Sequence, residues 1–112
     1  MTVVETPFFL RKVAGLLDEE ERSLLTAFVG ANPEAGDIIP DSGGVRKFRW
    51  AAKGRGKRGG LRVVNYFHNE AFPVFLLTAY SKNQKANLTR AERNELKTLV
   101  PMLVNRYREG RK

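Results

Sequence analysis

The sequence predicts an α+β domain in which an N-terminal helical hairpin and a C-terminal helix pack on a small antiparallel sheet. Three observations carry this. Apolar residues recur at helical spacing near both ends of the chain. The middle holds three strand-length apolar runs instead. The link between the last two runs is short enough for a hairpin. A helix with one apolar stripe and a sheet with an apolar face must cover one another, which gives the layered α+β arrangement. With 112 residues, 42% of them hydrophobic and including seven Phe and one Trp, the chain holds one core and is too short for two. Residues 1–112 are therefore read as a single domain.

The first helix opens at Thr6-Pro7, an N-cap followed by proline at the first helical position, where its missing N–H costs nothing. Phe9, Val13, Leu16 and Leu17 then make one stripe. Asp18 with Glu21 forms a capping box, and the acidic run Glu19–Glu21 suits the positive end of a helix dipole. Leu24, Leu25, Phe28 and Val29 supply the apolar face of this second helix, and Asn32-Pro33 stops it. A turn-rich connector, Gly36 to Gly44, leads to the strands. Val45–Ala52 alternates, with Phe48 and Trp50 on one face and Lys47 and Arg49 on the other, and both aromatics are assigned to the core. Leu61–His68 is almost continuously apolar, as expected of a central strand covered on both faces. Phe72–Tyr80 is similar, and Asn69-Glu70-Ala71 has the length of a hairpin loop. Thr89 with Glu92 gives a second capping box. Leu96, Leu99, Val100, Leu103 and Tyr107 continue at helical spacing, and Pro101 predicts a kink or break near Val100.

Charge is unevenly spread. Residues 1–44 hold three basic and eight acidic side chains. The next eighteen residues, 45–62, hold eight cations and no acid: Arg46, Lys47, Arg49, Lys53, Arg55, Lys57, Arg58 and Arg62. Residues 63–112 hold nine basic and four acidic side chains, and the whole chain carries +8. Uncompensated neighbouring cations repel one another until a polyanion neutralises them, and a phosphate backbone is the polyanion expected first. A solvated, solubilising face is the bland alternative.

Several chemistries are excluded. There is no cysteine, so disulfides, thiolate zinc sites and thiol nucleophiles are out. The single histidine, His68, rules out a ribonuclease built on two imidazoles, and its place at a strand end reads as structural or rim. The basic segment has no clustered carboxylates for metal catalysis, so neither metal nor other cofactor is expected. No apolar run approaches the ~20 residues of a membrane span, and the first residues lack the pattern of a secretory signal, so the expected location is the cytoplasm, with no membrane partner. The Lys53–Gly60 loop alternates four cations with four glycines but lacks the order of a P-loop. Such a loop can approach a phosphate closely. RNA cleavage by its own 2′-hydroxyl needs a proton acceptor, a cation for the charge growing on phosphorus and a proton donor to the leaving oxygen. Arginine and lysine supply the second, a lysine among other cations has its pKa lowered toward the others, and Tyr66 and Tyr80 are further proton-transfer candidates.

The segments Gly36-Asp37-Ile38-Ile39-Pro40, Gly43–Trp50, Gly54–Gly60, Leu61–Phe67 and Leu76–Asn83, followed by the Thr89 capping box, resemble in that order the HigB branch of the RelE/ParE toxin superfamily. The resemblance spans roughly Glu5 to Tyr107 and is most specific in the middle. It implies a RelE-like fold and the toxin of a type II toxin–antitoxin pair, a metal-independent endoribonuclease that cuts mRNA in the ribosomal A site. It further implies a cognate antitoxin of the HigA type, carrying a helix-turn-helix domain, through which alone the complex would reach operator DNA. By position, Arg62 matches the family arginine on the scissile phosphate and Lys82 the second active-site cation, while Lys53 and Lys57 fall where the family places basic catalytic residues. RNA contacts are expected of Arg46, Lys47, Arg49, Arg55, Arg58, Asn83 and Lys85. One departure matters. The family's tyrosine shortly after the second cation is missing from Asn83–Asn87, so Tyr80 or Tyr66 substitutes, or a lysine moves the proton. Two other readings stay open: a ParE-like inhibitor of DNA gyrase on the same fold, and a non-catalytic RNA-binding module.

Overall fold

The computed structural model describes residues 1–51, 60–82 and 84–110. Its elements in chain order are β1 (Val3–Glu5), α1 (Pro7–Val13), α2 (Glu19–Ala31), β2 (Asp37–Ile38), β3 (Arg46–Trp50), β4 (Leu61–Tyr66), β5 (Val74–Ser81) and α3 (Arg90–Gly110). The predicted α+β class holds: two N-terminal helices, a sheet and a C-terminal helix.

The helix ends form as their residues dictate. Thr6 Oγ1 accepts from Phe9 N at 3.2 Å and donates to Leu76 O at 2.8 Å, so one hydroxyl both starts α1 and ties it to the sheet. Asp18 and Glu21 exchange backbone and side-chain bonds at the start of α2, and Thr89 and Glu92 do the same before α3.

The sheet is wider than the three predicted strands. Its order is β1-β5-β4-β3-β2. The β2–β3, β3–β4 and β4–β5 pairings are antiparallel, and β1 joins β5 in parallel, so the sheet is mixed. A strand of three residues and one of two are too short to show periodicity, and the neighbour's backbone defines them. β4 lies in the centre, as its apolar run requires. One face of the sheet packs under α1 and α2 through Phe9, Val13, Leu25, Val29, Val63, Leu76 and Ala79, with Phe48 and Trp50 joining that core as assigned. The other packs under α3 through Val45, Val64, Phe75, Leu77, Tyr80, Leu96 and Val100.

Two local features shape the middle of the sheet. Val64 pairs with Thr78 but Asn65 pairs with Leu76, so Leu77 is an extra residue, a β-bulge. Gly36 has φ +94°, and a Cβ there would lie 2.2 Å from Lys47 O, so only glycine lets the connector press against β3.

Of the kink or break predicted near Val100, the break does not occur, because α3 runs through Pro101 from Arg90 to Gly110. Proline removes only the bond to the carbonyl of Lys97, and both residues are exposed, so water can satisfy that carbonyl. Among the described residues no helix is long and apolar enough to cross a membrane.

Candidate functional site

In an antiparallel pair, residues directly opposite share a face. Arg62 on β4 stands opposite Arg49 on β3 and Tyr80 on β5. Lys47 and Val64, and Val64 and Thr78, pair in the next row. Arg49, Arg62 and Tyr80 therefore form one row across the α3 face of the sheet, with Lys47 beside it. The bulge at Leu77 makes this possible. Before it, Val74 and Leu76 face the helical hairpin; after it, Ala79 does, and Tyr80 falls on the α3 face. Without the extra residue Tyr80 would point away from Arg62.

The segment between β5 and α3 walls this row. Lys85 lies with its Nζ 5.2 Å from the centroid of the Tyr80 ring and is ion-paired to Glu92. Farther along, Asn87 Oδ1 accepts from Lys47 Nζ at 3.1 Å, and Leu88 is buried in the core under α3. Arg49 lies close over Gly60, whose added Cβ would meet Arg49 Nε at 3.0 Å.

Polar groups at the centre of the row lack partners. Tyr80 is 4% exposed and its hydroxyl is buried without a hydrogen bond; Arg62 Nη1 is buried and likewise unbonded. Buried polar atoms are nearly always paired, so two neighbouring unpaired donors form a preorganised place for an anion. Burial pushes the Tyr80 phenol above its usual pKa, the charge of Arg62 pulls it back and the charge of Glu92 pushes it further up. Burial likewise pushes Glu92 up, but hydrogen bonds from Lys85 and Thr89 outweigh it and hold the carboxyl below its ordinary value.

The expected site residues thus divide. Arg62, Tyr80, Arg49, Lys47 and Lys85 come together. Lys82 follows Ser81, the partner of Leu61, and is exposed beside the same end of β4. Arg46 is drawn out of the cluster. It lies on the hairpin face, opposite Asn65, and donates to Glu34 O at 3.3 Å and Gly36 O at 3.0 Å, so it clamps the turn before β2. Lys53, Arg55, Lys57, Arg58 and Asn83 lie outside the described residues. Tyr66, the other candidate phenol, is at the far end of β4 and shares a 3.0 Å hydrogen bond with His68 Nδ1. His68 is exposed and meets Phe72 edge-on at 4.8 Å, a rim residue as read from sequence. Glu92 was read only as a cap. Its second carboxylate oxygen takes Lys85, which places one acid in a basic site. The signal for it is the spacing of Lys85 and Glu92, four residues before and three after the Thr89 cap. Among the described residues no group of three or more His, Asp or Glu is placed to hold a metal ion.

A two-helix layer and a third helix on opposite faces of a five-stranded sheet, with Arg49, Arg62 and Tyr80 in one row on the α3 face, define a small basic α+β protein. Residues 12–110 match the family described as the RelE toxin of the RelE/RelB toxin–antitoxin system, and the chain belongs to that family. It is thus a toxin-family protein, and the family implies a cognate antitoxin.

Proposed function

We propose that this protein is a metal-independent endoribonuclease that cuts mRNA at the ribosome and so blocks translation. The observation that carries the reading is the adjacent pair of buried, unbonded donors, Arg62 Nη1 and Tyr80 Oη. A phosphodiester seated against them gives both a partner. As the 2′-hydroxyl attacks phosphorus and the bond to the 5′-oxygen breaks, negative charge grows on the non-bridging oxygens, where Arg62 stabilises it. The Tyr80 phenol, kept protonated by burial, donates to the phosphoryl group or to the departing 5′-oxygen. Arg49 and Lys47 hold the flanking backbone, and Lys82 adds charge at the mouth. Lys53 and Lys57 are the proposed proton acceptors for the 2′-hydroxyl. The order of segments from Gly36 to Asn83 supports the HigB branch, and with it a helix-turn-helix antitoxin of the HigA type and cutting in the ribosomal A site in the cytoplasm.

Mapping of 5′ ends in message after induction tests the proposal. Defined breaks within translated codons, lost in Arg62→Ala, are the expected result. Intact message together with double-strand DNA breaks would instead mark a gyrase-directed toxin, and salt-sensitive RNA binding with no breaks a passive binding module.

A further inference from the structure

The hairpin face of the sheet, opposite the Arg62–Tyr80 row, carries an exposed apolar run. On α2, Leu24 and Phe28 stand one turn apart and both are exposed, Leu24 to 57%. The Phe28 ring lies 5.5 Å from that of Phe48 and 5.4 Å from that of Trp50, the two half-buried aromatics of β3. Ile38 on β2 pairs with Arg46, so it shares the face of Phe48 and Trp50, and it is 56% exposed. Single exposed apolar residues are ordinary. A run continuous from a helix onto a strand marks an interaction surface, and aromatics are what protein interfaces bury at their centres.

The charge around this run is opposite to that of the chain. Residues 18–34 hold five acids and one base, in a protein of net +8. Glu20 stands one turn before Leu24 with Glu19 beside it, and both are exposed. The cations on α2 and on this face of β3 are both occupied, Arg22 by Glu5 and Arg46 by Glu34 and two carbonyls. A polyanion such as RNA is repelled from such a surface. The exposed apolar pair on α1, Phe8 and Leu10, sits among cations instead, since Arg11 and Lys12 both lie over the Phe8 ring. The two patches therefore fit partners of opposite sign.

We propose that the α2–β3 face docks the cognate antitoxin through an amphipathic helix whose apolar stripe is flanked by lysine or arginine. The inference rests on membership of the toxin family and not on the nuclease reading. A helix laid beside α2 sets apolar side chains one turn apart against Leu24 and Phe28, and its cations against Glu19 and Glu20.

Trp50 is the only tryptophan, so the test reads the face directly. The full chain, labelled with 5-fluorotryptophan, is titrated with its antitoxin and followed by ¹⁹F NMR and calorimetry. The Trp50 resonance should shift in step with binding. Leu24→Lys should weaken binding about a hundredfold and Leu24→Glu about tenfold, since glutamate loses the apolar contact but keeps the sign the partner requires. Glu20→Lys should weaken it too, with an effect that shrinks at high salt. Both positions are exposed, so melts should move little, and Arg62→Ala should leave the affinity unchanged. A Trp50 resonance that ignores the antitoxin, or unchanged affinity in both Leu24 variants, would overturn the proposal. So would Leu24→Glu binding more weakly than Leu24→Lys, which marks an acidic partner, or binding lost in Phe8→Glu alone, which moves the partner to α1. A chain that leaves message intact yet binds antitoxin over Trp50 would keep this surface and remove the nuclease.

Discussion

Arg62→Met separates a functional cation from a structural one, because the two roles predict opposite signs for stability. Arg62 Nη1 is buried with no hydrogen-bond partner, and the side chain stands directly opposite a second arginine, Arg49. A buried donor left unbonded costs about 1–3 kcal/mol, and a like charge across the strand pair adds a smaller, salt-screened penalty. Methionine keeps an unbranched stem to pack on the sheet and discards the charge. Allowing for the loss of whatever hydration the rest of the guanidinium retains, the variant should gain about 1 kcal/mol, which raises Tm by about 4 °C in a domain of this size. The same change removes the cation facing the charge that grows on phosphorus, so cleavage should fall at least about 10²-fold to 10³-fold. Thermal melts followed by circular dichroism give the first number, and 5′-end mapping in a translating extract gives the second. A variant that melts several degrees lower would show that Arg62 holds the fold together. One that melts higher but cuts at the wild-type rate would remove Arg62 from the chemistry.

Three further outcomes follow from the same geometry. Tyr80→Phe keeps the ring beneath Lys85 and loses only the buried, unbonded hydroxyl, so stability should rise by about 1 kcal/mol while cleavage falls about 10²-fold; wild-type activity should persist through neutral pH, since burial raises the phenol's pKa, and decline only on the alkaline side of the ordinary tyrosine value, a limb the variant should lack. Glu92→Gln removes a carboxylate whose folded pKa is depressed, so the stability it supplies is present above its unfolded value of 4.5 and is lost as pH falls through the folded one. Because Glu92 is partly solvated, the wild-type advantage at neutral pH should be about 0.5–1 kcal/mol, closing as melts are taken toward pH ~3, and a gap that stays constant with pH would refute the linkage. Gly36→Ala should cost about 2 kcal/mol or more, read from urea melts, since the new methyl at positive φ collides with Lys47 O; a neutral result would show that the connector does not press on β3.

Much of the fold was legible from residues alone because its signals are local. The caps at Thr6, Asp18 and Thr89 bond to backbone three residues away, and the alternation of Phe48 and Trp50 with Lys47 and Arg49 already sorts the two faces of β3. β1 and β2 were missed because they are too short to carry a pattern and exist only through pairing with β5 and β3. The break expected at Pro101 failed for the converse reason: burial of Leu96, Val100 and Val104 against the sheet outweighs one lost backbone bond. The candidate site was legible as a composition, a run of cations with nearby tyrosines. Its membership was not, since sequence spacing grouped Arg46 with Arg49, and backbone alternation sends them to opposite faces.

The amino-acid sequence by itself determined where the three helices start, the central place of the Leu61–His68 run and the excess of positive charge, since each depends on a residue and its near neighbours. Only the tertiary structure decided which groups meet. One extra residue at Leu77 reverses the alternation of β5 and turns Tyr80 toward Arg62, and Lys85, ion-paired to Glu92, lies over that ring. Side-chain direction in a strand changes sign with a single inserted residue, and contacts across strands depend on register, so neither can be read along the chain.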